Sequence, residues 1–118
     1  MVWDYTCSCT LAPSHIPVSS VAAGKIAERK EEAKLAKYSG LSRDYEVLPI
    51  CVETLGAFGP SAASFFQDIG KKIVMKTVEK RASAFLRQSV GMAIQRGNAL
   101  SVMGTVTATQ KLEEIFYL

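Results

Sequence analysis

Tyr45–Pro60 reads YEVLPICVETLGAFGP, a strand pattern that runs into a glycine-marked turn. Val47, Ile50, Cys51 and Val52 form an apolar run rich in β-branched residues, too short for a helix and bounded by turn formers. The reading is a strand over Tyr45 to Thr54. Apolar side chains on both faces suit a strand covered on both sides, as in α/β layers. Pro49 has no N–H to donate, so either the ladder is interrupted there or that side is an edge. Glu53 closes the run. A carboxylate there is an exposed strand end, a helix-cap partner or a functional acid.

Outward from that strand the chain alternates. Val2 to Thr10 reads as a strand, with Val2, Trp3, Tyr5, Thr6 and Cys7 as good strand formers. Leu11 to Ser20 is a loop broken by Pro13 and Pro17, with Ser19 or Ser20 as N-cap of the next element. Val21 to Tyr38 is a helix with a small-residue stripe of Ala22, Ala23, Ile26, Ala27 and Ala33. Its wet side runs from Glu28 to Glu32, with Glu31 pairing Lys34 and Gly40 ending the helix. Gly56 to Pro60 is a turn, and Pro60 suits the first turn of the helix that follows. Ala62, Phe65, Phe66, Ile69 and Ile73 give that helix a core-facing stripe. Lys76 to Arg81 is a polar joint. Ala82 to Val102 is a last helix that Gly97-Asn98 ends or kinks. The tail from Thr105 ends in the apolar IFYL.

The 118 residues make one domain, residues 1–118, with a core over 1–104 and a tail over 105–118. With 48% hydrophobic and 21% charged residues the chain is not globally disordered. The apolar runs are too short to span a membrane, and no signal-peptide pattern opens the chain, so no membrane partner and an intracellular location are expected. The net charge of +3 permits anionic partners without demanding them. Cys7, Cys9 and Cys51 cannot all pair and read as free thiols. With His15 they number enough for zinc, but Cys-x-Cys on a strand lacks the usual knuckle. His15 itself reads as a surface or loop hydrogen-bonding residue, with catalysis the alternative. Arg81, Arg87 and Arg96 offer phosphate-binding groups, or form part of a solvated helix face.

Several strings carry a resemblance. In chain order they are VWDYTC (Val2–Cys7), LAPSH (Leu11–His15), KYSGL (Lys37–Leu41), VETLGAFGP (Val52–Pro60), FLRQ (Phe85–Gln88) and IQRGNALSVMGT (Ile94–Thr105). Together they resemble the C-terminal region of invertebrate non-LTR retrotransposon reverse-transcriptase proteins. That region is similar to restriction-like endonuclease domains, a small mixed sheet flanked by helices. The resemblance implies an α/β, restriction-endonuclease-like fold in the order strand-helix-strand-helix-helix, lacking its N-terminal strands. The parent would be an RNA-directed DNA polymerase with a metal-dependent endonuclease. In the family, carboxylates hold a divalent ion, Mg²⁺ by expectation, which activates water. A lysine neutralises charge nearby.

The resemblance carries over residue by residue and in part. Asp4 matches the second acid and is the metal candidate. Thr6 stands where a typical strand carries lysine. The displaced family lysine matches Lys34, with Lys37 second, beside Tyr38. Glu53 matches a family position of unassigned role. The first acid would precede Met1, and Cys7-Ser8-Cys9-Thr10 lacks the acid that relatives carry there. One strand carboxylate is a poor Mg²⁺ site. The expectation is therefore a fragment without catalysis of its own, which does not hold Mg²⁺ tightly. The alternative is a nucleic-acid-binding or protein-interaction module from a mobile element. DNA or RNA would be met through the parent protein, in the nucleus if the retroelement role is retained. A homodimer through the exposed first-strand edge is a further expectation.

Overall fold

The computed structural model describes residues 1–105, and the tail beyond Thr105 lies outside the described residues. Two seven-residue strands, β1 (Val2–Ser8) and β2 (Val47–Glu53), pair in parallel. The register sets Val2 beside Val47, Asp4 beside Pro49 and Ser8 beside Glu53. Between them come a one-turn helix α1 (Ile16–Ser19), the crossover helix α2 (Lys25–Lys37) and a 3-10 turn at Leu41–Arg43. After β2 come α3 (Pro60–Thr77) and α4 (Ala82–Met103). The described residues thus form a small α/β unit, with a two-stranded parallel sheet and four helices. No described helix is long and apolar enough to cross a membrane.

The core is narrow. Ile50, Cys51 and Val52 of β2 are buried with Ile26 and Ala27 of α2, Ala62 of α3, and Ala82 and Ile94 of α4. β2 is the covered strand, as its two-faced apolar pattern requires. β1 is not, since Trp3 and Tyr5 are 64% and 52% exposed. Pro49 sits where its missing N–H does no harm. Gly59 N–H donates to the Cys51 carbonyl and Glu53 N–H to the Ala57 carbonyl, so the odd-numbered residues of β2 turn their backbone away from β1. Pro49 is one of these and faces the outer edge.

Four sequence expectations need correction. The loop Leu11–Ser20 contains the short helix α1, so the order gains an element. α2 begins at Lys25 rather than Val21, because Gly24 adopts a left-handed φ of 84° and only then lets the helix start. Gly40 does not end it: α2 closes at Tyr38, and Gly40 has an ordinary right-handed φ of −68°. α4 runs through Gly97-Asn98 to Met103. The side chains there give the reason. Asn98 Nδ2 and Gln95 Nε2 both donate to the Thr54 carbonyl, at 2.7 and 3.3 Å, and tie the helix to the end of β2.

Other expectations hold. Gly59 precedes α3 and Pro60 opens it. Phe66 packs against Phe58 and Phe65, with ring centroids 5.3 and 5.7 Å apart. Val78 breaks the chain between α3 and α4 with φ 59°.

Candidate functional site

α2 is aimed by two buried carboxylates. Glu53, at the end of β2, is 1% exposed. Its Oε1 accepts the backbone N–H groups of Ile26 and Ala27 at 3.0 and 3.3 Å, and its Oε2 accepts the Thr10 hydroxyl at 3.3 Å. It therefore caps the first turn of α2 from outside the helix, where unpaired N–H groups and the positive end of the dipole favour a carboxylate. Of the readings open for Glu53, the helix-cap partner is the one found.

Glu31 does the same for α3. It is 7% exposed. Its oxygens accept Ser61 N–H at 3.0 Å and the Ser61 hydroxyl at 2.5 Å. The expected Glu31–Lys34 surface pair is not formed, and the assignment of Glu31 to the wet side is corrected. β2 thus caps α2, and α2 caps α3.

This chain of caps sets the face that α2 turns to β1. Lys34 and Tyr38 are one turn apart on that face. Lys34 Nζ donates to Asp4 Oδ2, and Tyr38 Oη donates to the same oxygen at 3.0 Å. The pair is partly enclosed, with the Lys34 side chain 19% and the Asp4 side chain 31% exposed. Lys37 stays outside the hydrogen-bonded cluster. Its Nζ lies 5.2 Å from the centre of the Tyr38 ring. A cleft of about 240 Å³ opens beside Asp4 and Tyr38, lined also by Leu41, Tyr45 and Val47.

The Lys34 ammonium holds the Asp4 carboxyl below its ordinary value of 3.8. Tyr38 and the more distant Lys37 add to this, and partial burial works against it. The sign follows from linkage. A carboxyl depressed in the fold stabilises it above the ordinary value, and that contribution disappears as pH falls through the folded value. Lys34→Met is expected to move the Asp4 midpoint upward, read by carbon-detected NMR titration of the carboxyl. An unmoved midpoint would remove Lys34 as the cause.

Mg²⁺ does not fit the residues of one chain. Asp4 Oδ2 already receives an ammonium and a phenol, and a hard cation needs several oxygens. Among the described residues no three His, Cys, Asp or Glu side chains assemble as a metal group. Glu31 and Glu53 are committed to helix N-termini. The zinc alternative has no support either: Cys51 is buried, where desolvation pushes its thiol up, while Cys7 and Cys9 are exposed. His15 Nδ1 donates to the Cys9 carbonyl at 2.7 Å, the loop hydrogen bond expected of it.

The arginines do not converge. Arg81 precedes α4, bonded to Glu79 Oε1 and set 5.6 Å from the Phe85 ring centre. Arg87 and Arg96 are exposed. Their spacing is about two and a half turns of helix, so they leave α4 on opposite sides. Gln95, the neighbour of Arg96, donates to the Thr54 carbonyl at the end of β2. The structure brings Asp4, Lys34 and Tyr38 together as a group, and it leaves Arg87 and Arg96 on an exposed helix surface without gathering them. Sequence reasoning missed Glu31, whose only signal was its place one turn before Lys34.

Comparison with family models, curated proteins and solved structures finds no match for this chain.

Proposed function

We propose that the chain is the C-terminal, restriction-endonuclease-like unit of a retrotransposon-type reverse-transcriptase protein, and that it does not cleave DNA by itself. One observation carries the reading: Tyr38 of the string KYSGL and Lys34, one turn before it, both donate to one carboxylate oxygen of Asp4, in the separate string VWDYTC. In this reading Asp4 is the surviving acid and Lys34 the displaced lysine. The depressed Asp4 is ionised at neutral pH and holds the ammonium in place. An ammonium has three donors, and Asp4 takes one. A phosphate oxygen that approaches the exposed side of the ammonium would take another, and the lysine then neutralises its charge. A second acid is missing from the group, so the chain can engage a phosphodiester without activating water against it.

The test has two parts. Supercoiled DNA incubated with the protein and Mg²⁺ or Mn²⁺ is expected to stay intact. Strong nicking that Asp4→Ala abolishes would overturn the claim of silence. Short DNA is expected to bind with affinity that falls as salt rises, and Lys34→Met is expected to reduce the slope of log K against log salt by about one contact. No binding at low salt would sink the reading. Binding indifferent to Lys34 would leave only the mobile-element binding module, seated elsewhere.

A further inference from the structure

The sheet has a second face, opposite the Asp4 site. Tyr5 and Cys7 alternate with Asp4 along β1 and so point away from α2. Together with Val52 of β2 and Phe66 of α3 they bound a groove of about 470 Å³ over the inner side of α4. Among the described residues nothing fills it, and Tyr5 and Cys7 are exposed there.

α4 is held at two places. Near its start Ser83 lies against Gly70 of α3, and further on Asn98 donates to the Thr54 carbonyl past β2. Val90, Ala93, Gly97 and Ser101 face the groove. Ala93, Gly97 and Ser101 follow one another at steps of four, so they make a ridge of small residues on that side of the helix. All three are exposed. A Cβ on Gly97 would meet nothing within 4 Å.

We propose that residues 106–118 of the same chain fold back into this groove, with Leu112, Ile115 and Phe116 as the side chains that fill it. The position of Thr105 is the first reason. It stands one turn past Ser101, so the tail departs from the rim of the groove itself. Val90, toward the far end, is about 22 Å of helix from Thr105. The eleven residues from Thr105 to Phe116 reach up to roughly 36 Å, which is ample.

Composition is the second reason. Leu112, Ile115 and Phe116 recur at three and four, one apolar side for an apolar groove. Charge is the third. The tail carries Glu113 and Glu114 against the single Lys111. Arg87, three residues before Val90 and seven before Ile94, stands on the groove side of α4 just beyond its far end. Chain preceding Met1 is placed differently. Met1 lies at the opposite end of β1, beside Glu46 and Leu48. A strand that preceded it and paired with β1 would widen the sheet and deepen the groove without filling it. The docked tail leaves the Asp4 cleft on the other face untouched, so the inference does not depend on the endonuclease-like reading.

The test uses the full chain in a Cys9→Ser background and needs no nucleic acid. Cys51 is buried, so Cys7 is the thiol that an aromatic disulfide reagent reports. A docked tail covers Cys7, and its reaction is expected to be at least roughly tenfold slower than in the same chain unfolded in urea. Phe116→Asp, which sets a charge in the apolar groove, is expected to restore the fast rate. Gly97→Leu approaches the contact from the other side. It fills the groove without a clash and is the better helix former, so helix content by circular dichroism should hold or rise. Its readout is tryptic cleavage at Lys111, expected to be slow in the parent chain and roughly tenfold faster in Gly97→Leu and in Phe116→Asp. Fast reaction of Cys7 in the parent chain would overturn the proposal. So would protection that Phe116→Asp does not relieve, cleavage at Lys111 indifferent to both variants, or protection that grows with protein concentration, the mark of a second copy in the groove.

Discussion

Glu53→Ala is expected to lower the free energy of unfolding by about 3 kcal/mol, since it removes a charge-assisted acceptor from two buried N–H groups. Ile26 and Ala27, the donors, are 3% and 0% exposed, so water cannot replace the lost carboxylate without opening the core. The Thr10 hydroxyl loses its partner as well. For a domain whose whole stability is about 5–15 kcal/mol, this is a large fraction. Glu53→Gln separates capping from any other role. Its amide oxygen still accepts from the α2 N–H groups, and only the charge–dipole part is lost, about 1 kcal/mol or less. The midpoint and slope of urea unfolding check both. Equal losses for Ala and Gln would mean that the negative charge, and not the acceptor, is what the fold requires.

That a strand-end glutamate holds a helix was half legible. The run ICVE marked Glu53 as an acid at the end of a buried strand, and capping was among its readings. What the residues did not reveal was the helix it caps, because the cap spans from β2 back to Ile26. The face of α2 was legible only in part, for a related reason. Of the small-residue stripe expected to seat the helix, Ile26 and Ala27 are buried, whereas Ala22 and Ala23 precede the helix and Ala33 is exposed. The row that meets the sheet is Ala27, Glu31, Lys34 and Tyr38, at helical spacing but mostly polar. Periodicity in hydrophobicity cannot find such a row, since its burial is stabilised by hydrogen bonds that close only in the tertiary structure. Asp4 and Lys34 were matched by resemblance of short strings, not by any pattern in the chain itself. The strands were legible as short runs of β-branched and other strand-forming residues, the central turn by its glycines and proline, and the two long helices because their apolar residues follow a period of 3.6.

Gly59→Ala is expected to cost about 2 kcal/mol, and the amount is set by a cap it never touches in the wild-type chain. Gly59 has φ −68° and ψ 162°, which any residue adopts, so no backbone strain is involved. A Cβ there would lie 2.9 Å from Glu31 Oε2, 3.3 Å from the Cys51 carbonyl oxygen and 3.4 Å from the Ala27 carbonyl carbon. Two of these neighbours are backbone and yield less readily than a side chain. The carboxylate can yield, but it is held by Ser61, and yielding surrenders the cap on α3. The cost is therefore bounded by that cap, a charge-assisted bond worth roughly 1.5–3 kcal/mol. Glu31→Ala removes the same bond directly, so the two substitutions should not add. The double variant is expected to fall short of the sum by about 1–2 kcal/mol, within the range for residues in contact. Strict additivity would show that the new methyl group displaces β2 or α2 backbone and not the carboxylate. The site supplies an independent readout of which occurs. If only the Glu31 side chain yields, α2 keeps its place and Asp4 titrates as before. If the α2 backbone moves at Ala27, Lys34 and Tyr38 ride with it, and the Asp4 midpoint rises toward its ordinary value of 3.8.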